Sequence, residues 1–281
     1  MKHVLTINDI SCIGRCSVTV ALPVISAAGI ECSPLPTALL STHTGGFPGF
    51  FFRDLTDAVP AIAAHWKSLG ITFDMIYSGY LGSKEQIDTV LDIADSFGKP
   101  PLFVDPVMGD AGRLYTNFDL SFVERMRELC KRADVITPNL TEAAYLLGES
   151  YRESYDEKYV RTTLEKLTAL GARSCVISGI SLAPGEVGAA SLDSASGEYR
   201  YCPGECVPGF YHGAGDVFAS VLCAAFTLGV GASDAIAEAV DFTVKCIRRT
   251  AEDKDDTRYG LHFEPYLAEL RERIGKYTRD R

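Results

Sequence analysis

Short apolar runs recur along the chain, and between them lie longer stretches whose apolar residues return every three or four positions. Residues 4–7, 75–78, 102–104, 135–137 and 175–178 are such runs, rich in β-branched and aromatic side chains. They are too short for helices and apolar on both faces, the pattern of strands buried in a parallel sheet. Helices are predicted over residues 17–28, closed by Gly29, and 59–69, closed by Gly70. Ser83 with Gln86, and Ser121 with Glu124, have the form of capping boxes, the second opening a helix that runs to about residue 132. Further helices are predicted from about residue 141 and over 156–170, 216–228, 233–251 and 265–275. Residues 31–40 read as extended but broken by Pro34 and Pro36, residues 41–52 as a loop, and the polar run 252–258 as a mobile one. Two short runs, 189–192 and 199–201, flank a turn-rich stretch and predict an antiparallel hairpin. Strands alternating with helices, with no repeat and no low-complexity linker, predict an α/β fold. One domain over residues 1–281 would have three αβα layers, a mostly parallel central sheet and the hairpin appended to it.

Composition narrows the setting. A chain of 281 residues, 47% of them hydrophobic, can bury a sizeable core. A formal net charge of −10 repels phosphate backbones and anionic lipid, so neither a nucleic-acid nor a membrane partner is expected. No apolar stretch is long enough to span a bilayer and the start of the chain lacks a signal-type apolar region, so a cytoplasmic protein is expected. The nine cysteines are scattered through apparent core elements and read as reduced thiols. Cys12/Cys16 and Cys202/Cys206 are spaced C-x₃-C, not the tighter C-x₂-C of zinc knuckles.

Chemistry concentrates after the strands. In open parallel sheets ligands bind beyond the carboxyl ends of the strands, which places Asp9, Gly79, Tyr80, Asp105, Asn139 and Gly179 on one rim. Gly213, Ala214, Gly215 and Asp216 then open an apolar helix, where glycines let successive N–H groups converge and the helix dipole favours an anion. Asp216 stands where a carboxylate could take the proton of a hydroxyl attacking a phosphate. An ordinary helix cap explains the same residue as well. Asn139 and Glu142 suit Mg²⁺ or its waters, and equally suit a capped helix start. Asp105 and Asp110 share a loop that could hold metal waters or serve only as a turn.

The ordered set DPVMGD, TPNLTEA and GAGD, with SGYLGS at residues 78–83 and STHTGG at 41–46, resembles the ribokinase superfamily, in its pyridoxal/pyridoxamine kinase branch. The resemblance covers residues 4 to about 251. It implies a ribokinase-like fold and phosphorylation, from ATP with Mg²⁺, of the 5′-hydroxyl of a B6 vitamer (pyridoxal, pyridoxine or pyridoxamine) in pyridoxal 5′-phosphate salvage. Asp216 would be the base, and the amides of Gly213, Ala214 and Gly215 the anion hole. Asp105, Asp110, Asn139, Glu142, Ser178 and Gly179 would contact the nucleotide, with Asn139, Glu142 and Asp105 at the metal. Asp9, Thr37, His43, Tyr80 and Asp216 would meet the small aromatic alcohol. A homodimer is implied, and a monovalent cation is a candidate helper. Ala214 stands where the family usually has Thr, which a backbone anion hole tolerates. Asp9 stands where these kinases carry Ser, which exchanges a hydroxyl for an acceptor. The alternatives are a hydroxymethylpyrimidine kinase of thiamine biosynthesis, whose loop commonly ends in Cys where this chain has Asp216, and a non-catalytic nucleotide or vitamer binder.

Overall fold

The computed structural model describes residues 1–278. A nine-stranded sheet is built from β1 (His3–Ile13), β2 (Glu31–Thr42), β3 (Phe52–Asp54), β4 (Met75–Ser78), β5 (Leu102–Val104), β8 (Val135–Ile136), β9 (Ser174–Ile180), β10 (Glu186–Asp193) and β11 (Tyr199–Glu205). Its order is β11-β10-β9-β8-β5-β4-β1-β2-β3. The strands from β9 to β2 run parallel, and antiparallel strands close both edges: the predicted hairpin β10–β11 at one, and β3 at the other. β6 (Gly109–Asp110) and β7 (Arg113–Leu114) form a separate small hairpin inside the DPVMGD loop.

Successive strand residues face opposite sides of the sheet. Leu5, Ile76, Val104, Ile136 and Ile177 enter the core under α2 (Val59–Ser68), α3 (Lys84–Ser96), α4 (Leu120–Arg132), α5 (Leu140–Leu147) and α6 (Glu157–Thr168). Val4, Tyr77, Phe103, Val135 and Val176 enter the other core, under α1 (Val18–Ala27), α7 (Ala214–Thr227), α8 (Ala232–Asp253) and α9 (Leu267–Thr278). Both faces are therefore covered, which is why these runs are apolar throughout rather than alternating. Among the described residues no helix is long and apolar enough to cross a membrane, and all nine cysteines are free thiols, with Cys12 and Cys206 exposed.

Several local expectations change. β2 is not broken at Pro34 and Pro36. The Glu31 N–H donates to Lys2 O, so odd-numbered residues aim their N–H groups at β1, and the prolines lack theirs on the opposite side, where β3 pairs only from Ala38 onward. Ser121 does not cap α4: Asp119 accepts from the Phe122 N–H at 2.9 Å, and Ser121 donates to Asp119. Asp119, two residues earlier and directly before Leu120, holds the N-cap position and takes the Phe122 N–H, which leaves Ser121 inside the first turn. Ser83 caps α3 as expected, but Gln86 turns to accept from the Gly82 N–H at 2.7 Å. The polar segment predicted to be mobile contains a 3₁₀ turn, Thr257–Tyr259, tied to the loop after β2 where His43 Nε2 donates to Arg258 O at 2.6 Å. β1 also runs past its predicted end. It pairs with β4 only to Ile7, then with β2 alone to Ile13, through a register shift between Asn8 and Ile10. Asp9 thus sits inside a strand, at this shift, rather than following one.

Candidate active site

A cavity of about 400 Å³ opens beyond the carboxyl ends of β5, β8 and β9, against the start of α7. Its apolar wall is Val187, Val240, Val244 and Ile247, and its polar floor collects Asp105, Asp110, Asn139, Glu142, Ser178, Gly179 and residues 213–216. Residues from five separate sequence segments therefore meet in one place. Asn139 and Ser178 are joined directly by a β-bridge, with the Ser178 N–H donating to Pro138 O at 3.0 Å.

The start of α7 does not use Asp216 as its cap. Gly213 is the N-cap, at φ 74° and ψ 0°, and Asp216 lies in the first turn, so Asp216 is not the cap. A Cβ at position 213 would stand 2.1 Å from Arg15 O, so only glycine fits. The N–H groups of Gly213, Ala214 and Gly215 have no partner among the described residues. They are the free donors that every helix start leaves, here turned to a cavity. Burial raises the Asp216 carboxyl to about 7; the Ser17 backbone N–H opposes the rise and the nearby Asp9 adds to it.

The other acids divide by their partners. Glu142 accepts from the Met108 N–H at 3.1 Å and from the Asn139 N–H at 2.9 Å, while Asn139 Oδ1 accepts from the Glu142 N–H, completing a capping box. Asn139 Nδ2 donates to Gly109 O at 2.8 Å, so this pair clamps the β6–β7 loop to α5. Burial still pushes Glu142 up to about 8 against those donors. Asp105 is buried, has no side-chain hydrogen bond within the described residues, and is held well above its usual value by burial, by Glu142 and by Asp216. Asp110 spends one oxygen on the Ala111 N–H and is exposed. Among the described residues no group of three or more His, Cys, Asp and Glu side chains is placed to hold a metal ion by itself. Asp105 has both carboxyl oxygens unspent, so it fits a magnesium ion that keeps waters and phosphate oxygens as its other ligands.

Asp9, Thr37, His43 and Tyr80 do not line this cavity. They group on its other side, across Ser17. Ser17 Oγ donates to Asp9 Oδ1 at 2.5 Å, Ser11 Oγ donates to Oδ2 at 3.0 Å, and burial nonetheless raises the Asp9 carboxyl. Ser17 stands at φ 55° and ψ −130°, a strained backbone for a residue with a Cβ, and spends its hydroxyl on Asp9 rather than on capping α1. Thr37 Oγ1 donates to Tyr80 O at 3.4 Å, and the Tyr80 N–H to Asn8 Oδ1 at 2.8 Å, which hold β2, β4 and β1 together at the rim. His43 accepts from the Gly45 N–H at Nδ1, leaving only its ring faces for a ligand. Sequence reasoning missed Ser17 and His212. Nothing in the local residue pattern announces a positive φ at a serine, and His212 was overshadowed by the glycines after it.

The phosphomethylpyrimidine kinase family matches residues 22–259. In three dimensions the chain is similar to a phosphomethylpyrimidine kinase, assigned by similarity, from Bacteroides thetaiotaomicron VPI-5482. The two are 39% identical with a TM-score of 0.92, over 96% of this chain and 93% of that one; an orthorhombic form of that protein was solved with pyridoxal. It is also similar to the pyridoxal kinase of Lactobacillus plantarum, at 34% identity and a TM-score of 0.89, over 96% of each chain. Among curated proteins, the thiamine biosynthesis bifunctional protein ThiED of Geobacter sulfurreducens is 28% identical over 252 residues, 87% of this chain. The chain spans about half (49%) of the length of that relative. With a mostly parallel sheet covered on both faces and a glycine-led helix start at its rim, the chain belongs to the phosphomethylpyrimidine kinase family of ribokinase-like proteins.

Proposed function

We propose that this protein is an ATP-dependent kinase acting on the 5′-hydroxyl of a B6 vitamer. One observation carries the reading: a carboxyl raised to about 7 stands in the first turn of a helix whose opening N–H groups are unpaired and face a cavity of about 400 Å³. A group that titrates near neutrality can take a proton and remain a usable base. The vitamer hydroxyl attacks the terminal phosphorus, the bond to the ADP oxygen breaks, and the hydroxyl proton passes to Asp216. The amides of Gly213, Ala214 and Gly215 stabilise the charge on the transferred group, and positioning supplies the rest. Ser178, Gly179 and the apolar wall receive the nucleotide. Magnesium, when bound, neutralises phosphate charge. Asp105 would hold it, with Asp110 reaching its waters and Asn139 and Glu142 fixing the loop that presents both.

The vitamer ring is assigned to the side of Asp9, Thr37, His43 and Tyr80, with Asp216 between ring and phosphate. The single nine-stranded sheet supports one domain over residues 1–281. A homodimer is supported by the open edge of β3, where Phe51 and Phe52 are exposed. A cytoplasmic location rests on the reading of the apolar stretches in the sequence, and a monovalent cation on the resemblance. The family description names a phosphomethylpyrimidine, which favours a substituted methylpyrimidine, hydroxymethylpyrimidine among them, as a second substrate class. Turnover of pyridoxal, pyridoxine, pyridoxamine and hydroxymethylpyrimidine, with ATP and Mg²⁺ under one set of conditions, tests both. Turnover of hydroxymethylpyrimidine alone would overturn the B6 reading in favour of the second.

A further inference from the structure

The cavity carries a charge problem. Four carboxylic acids line it (Asp105, Asp110, Glu142 and Asp216), and among the described residues no lysine or arginine does; His212 is its one basic side chain. Two arginines on the rim loops are committed elsewhere, Arg258 to Asp256 and Gly46 O, and Arg15 to Glu264. A nucleoside triphosphate must nevertheless bind here if the kinase reading above, on which this inference rests, is right.

We propose that His212 is the side chain that meets the polyphosphate of the bound nucleotide. It immediately precedes the Gly213 turn, so it stands beside the unpaired N–H groups of α7. Its ring is placed by its neighbours: the His43 and Phe210 rings lie at 4.8 Å, and a Cβ on Gly45 would stand 2.6 Å from its Cε1. Neither ring nitrogen has a hydrogen bond within the described residues, whereas both nitrogens of His43 are spent. The charged or titratable groups facing it are His43 from the loop after β2, and Asp256 and Arg258 from the segment after α8. Burial, then His43 and Arg258, hold the imidazole below its usual value, and Asp256 opposes them. The free protein therefore keeps a neutral ring, and an arriving polyphosphate draws a proton onto it. Binding then takes up a proton, and affinity falls as pH rises between the free and bound pKa values.

The test is calorimetric binding of a non-hydrolysable ATP analogue with Mg²⁺ to the full chain and to His212→Gln, between pH 6.5 and 8.5. Asp216, Glu142 and the analogue titrate in both proteins, so the ratio of the two dissociation constants isolates His212. We expect the variant to bind about tenfold or more weakly at pH 6.5, as for loss of a charge-assisted hydrogen bond, with the gap closing toward pH 8.5. A ratio of one, or one that does not change with pH, overturns the proposal. Imidazole proton resonances of the wild-type chain, which has five histidines, give a second reading that does not depend on the variant's folding. One histidine pKa should rise when the analogue binds, and no rise overturns the proposal. If the wild type binds no analogue, the kinase reading itself fails; binding without a histidine response defeats this inference alone.

Discussion

Replacing Asp216 by asparagine tests the mechanism at its centre. The structure supplies a magnitude. The carboxyl moves from an ordinary 3.8 to about 7, and at 1.36 kcal/mol per unit this is about 4 kcal/mol against its ionised form. Two measurable consequences follow. First, only the ionised base can accept the hydroxyl proton, so wild-type kcat/KM should rise about tenfold between pH 6 and pH 8 and then level. Asp216→Asn should lower kcat by roughly 10²–10⁴, with nucleotide affinity nearly kept. Second, the folded protein binds this proton more tightly than the unfolded chain does. Stability contributed by the protonated group is present below pH 3.8 and is lost as pH rises through about 7. The asparagine variant should therefore be more stable than wild type at pH 8, by up to about 4 kcal/mol, and the difference should shrink as the pH falls toward 4. Turnover assays give the first result and urea unfolding at several pH values the second. A folded variant with near-wild-type kcat, or one no more stable at pH 8 than wild type, would refute the assignment.

Gly213→Ala should cost at least about 1–3 kcal/mol from the positive φ, with the clash on Arg15 O added, and should abolish turnover; thermal unfolding and a kcat measurement check both. Ser17→Ala should lose about 1.5–3 kcal/mol with the Asp9 hydrogen bond. Ser17→Gly loses the same bond but relieves φ 55°, so chemical denaturation should find glycine more stable than alanine, the reverse of the usual order. Ala214→Thr should change kcat less than tenfold, whereas Ala214→Pro removes a donor and presses on Gly213 at ψ 0°, with a loss of roughly 10²–10³ in kcat in protein shown folded by circular dichroism.

The sheet and its helices were legible because strands covered on both faces are apolar throughout, as at residues 75–78 and 175–178. The cavity residues were legible because each stands at a strand end or helix start marked by Gly, Asp or Asn. What escaped depends on neighbours distant in sequence. β2 survives its prolines only because β3 arrives late along it. β1 outruns its apolar core because β2 accompanies it to Ile13. Asp119 rather than Ser121 caps α4, a choice between two adequate caps that local pattern cannot make. The strained Ser17 is set by Asp9 and the start of α7, not by its own flanks.

The distribution of thiols gives the protein a built-in attachment point. Seven of its nine cysteines are buried or half-buried, and only Cys12 and Cys206 are exposed. Cys12 lies three residues beyond Asp9, on the stretch of β1 that pairs with β2 alone. With Cys206 changed to serine, a maleimide dye should couple at one position, on the strand that carries Asp9 and outside every residue assigned to chemistry. Its emission would then report when the vitamer side of the site fills, in real time and separately from events at the nucleotide cavity.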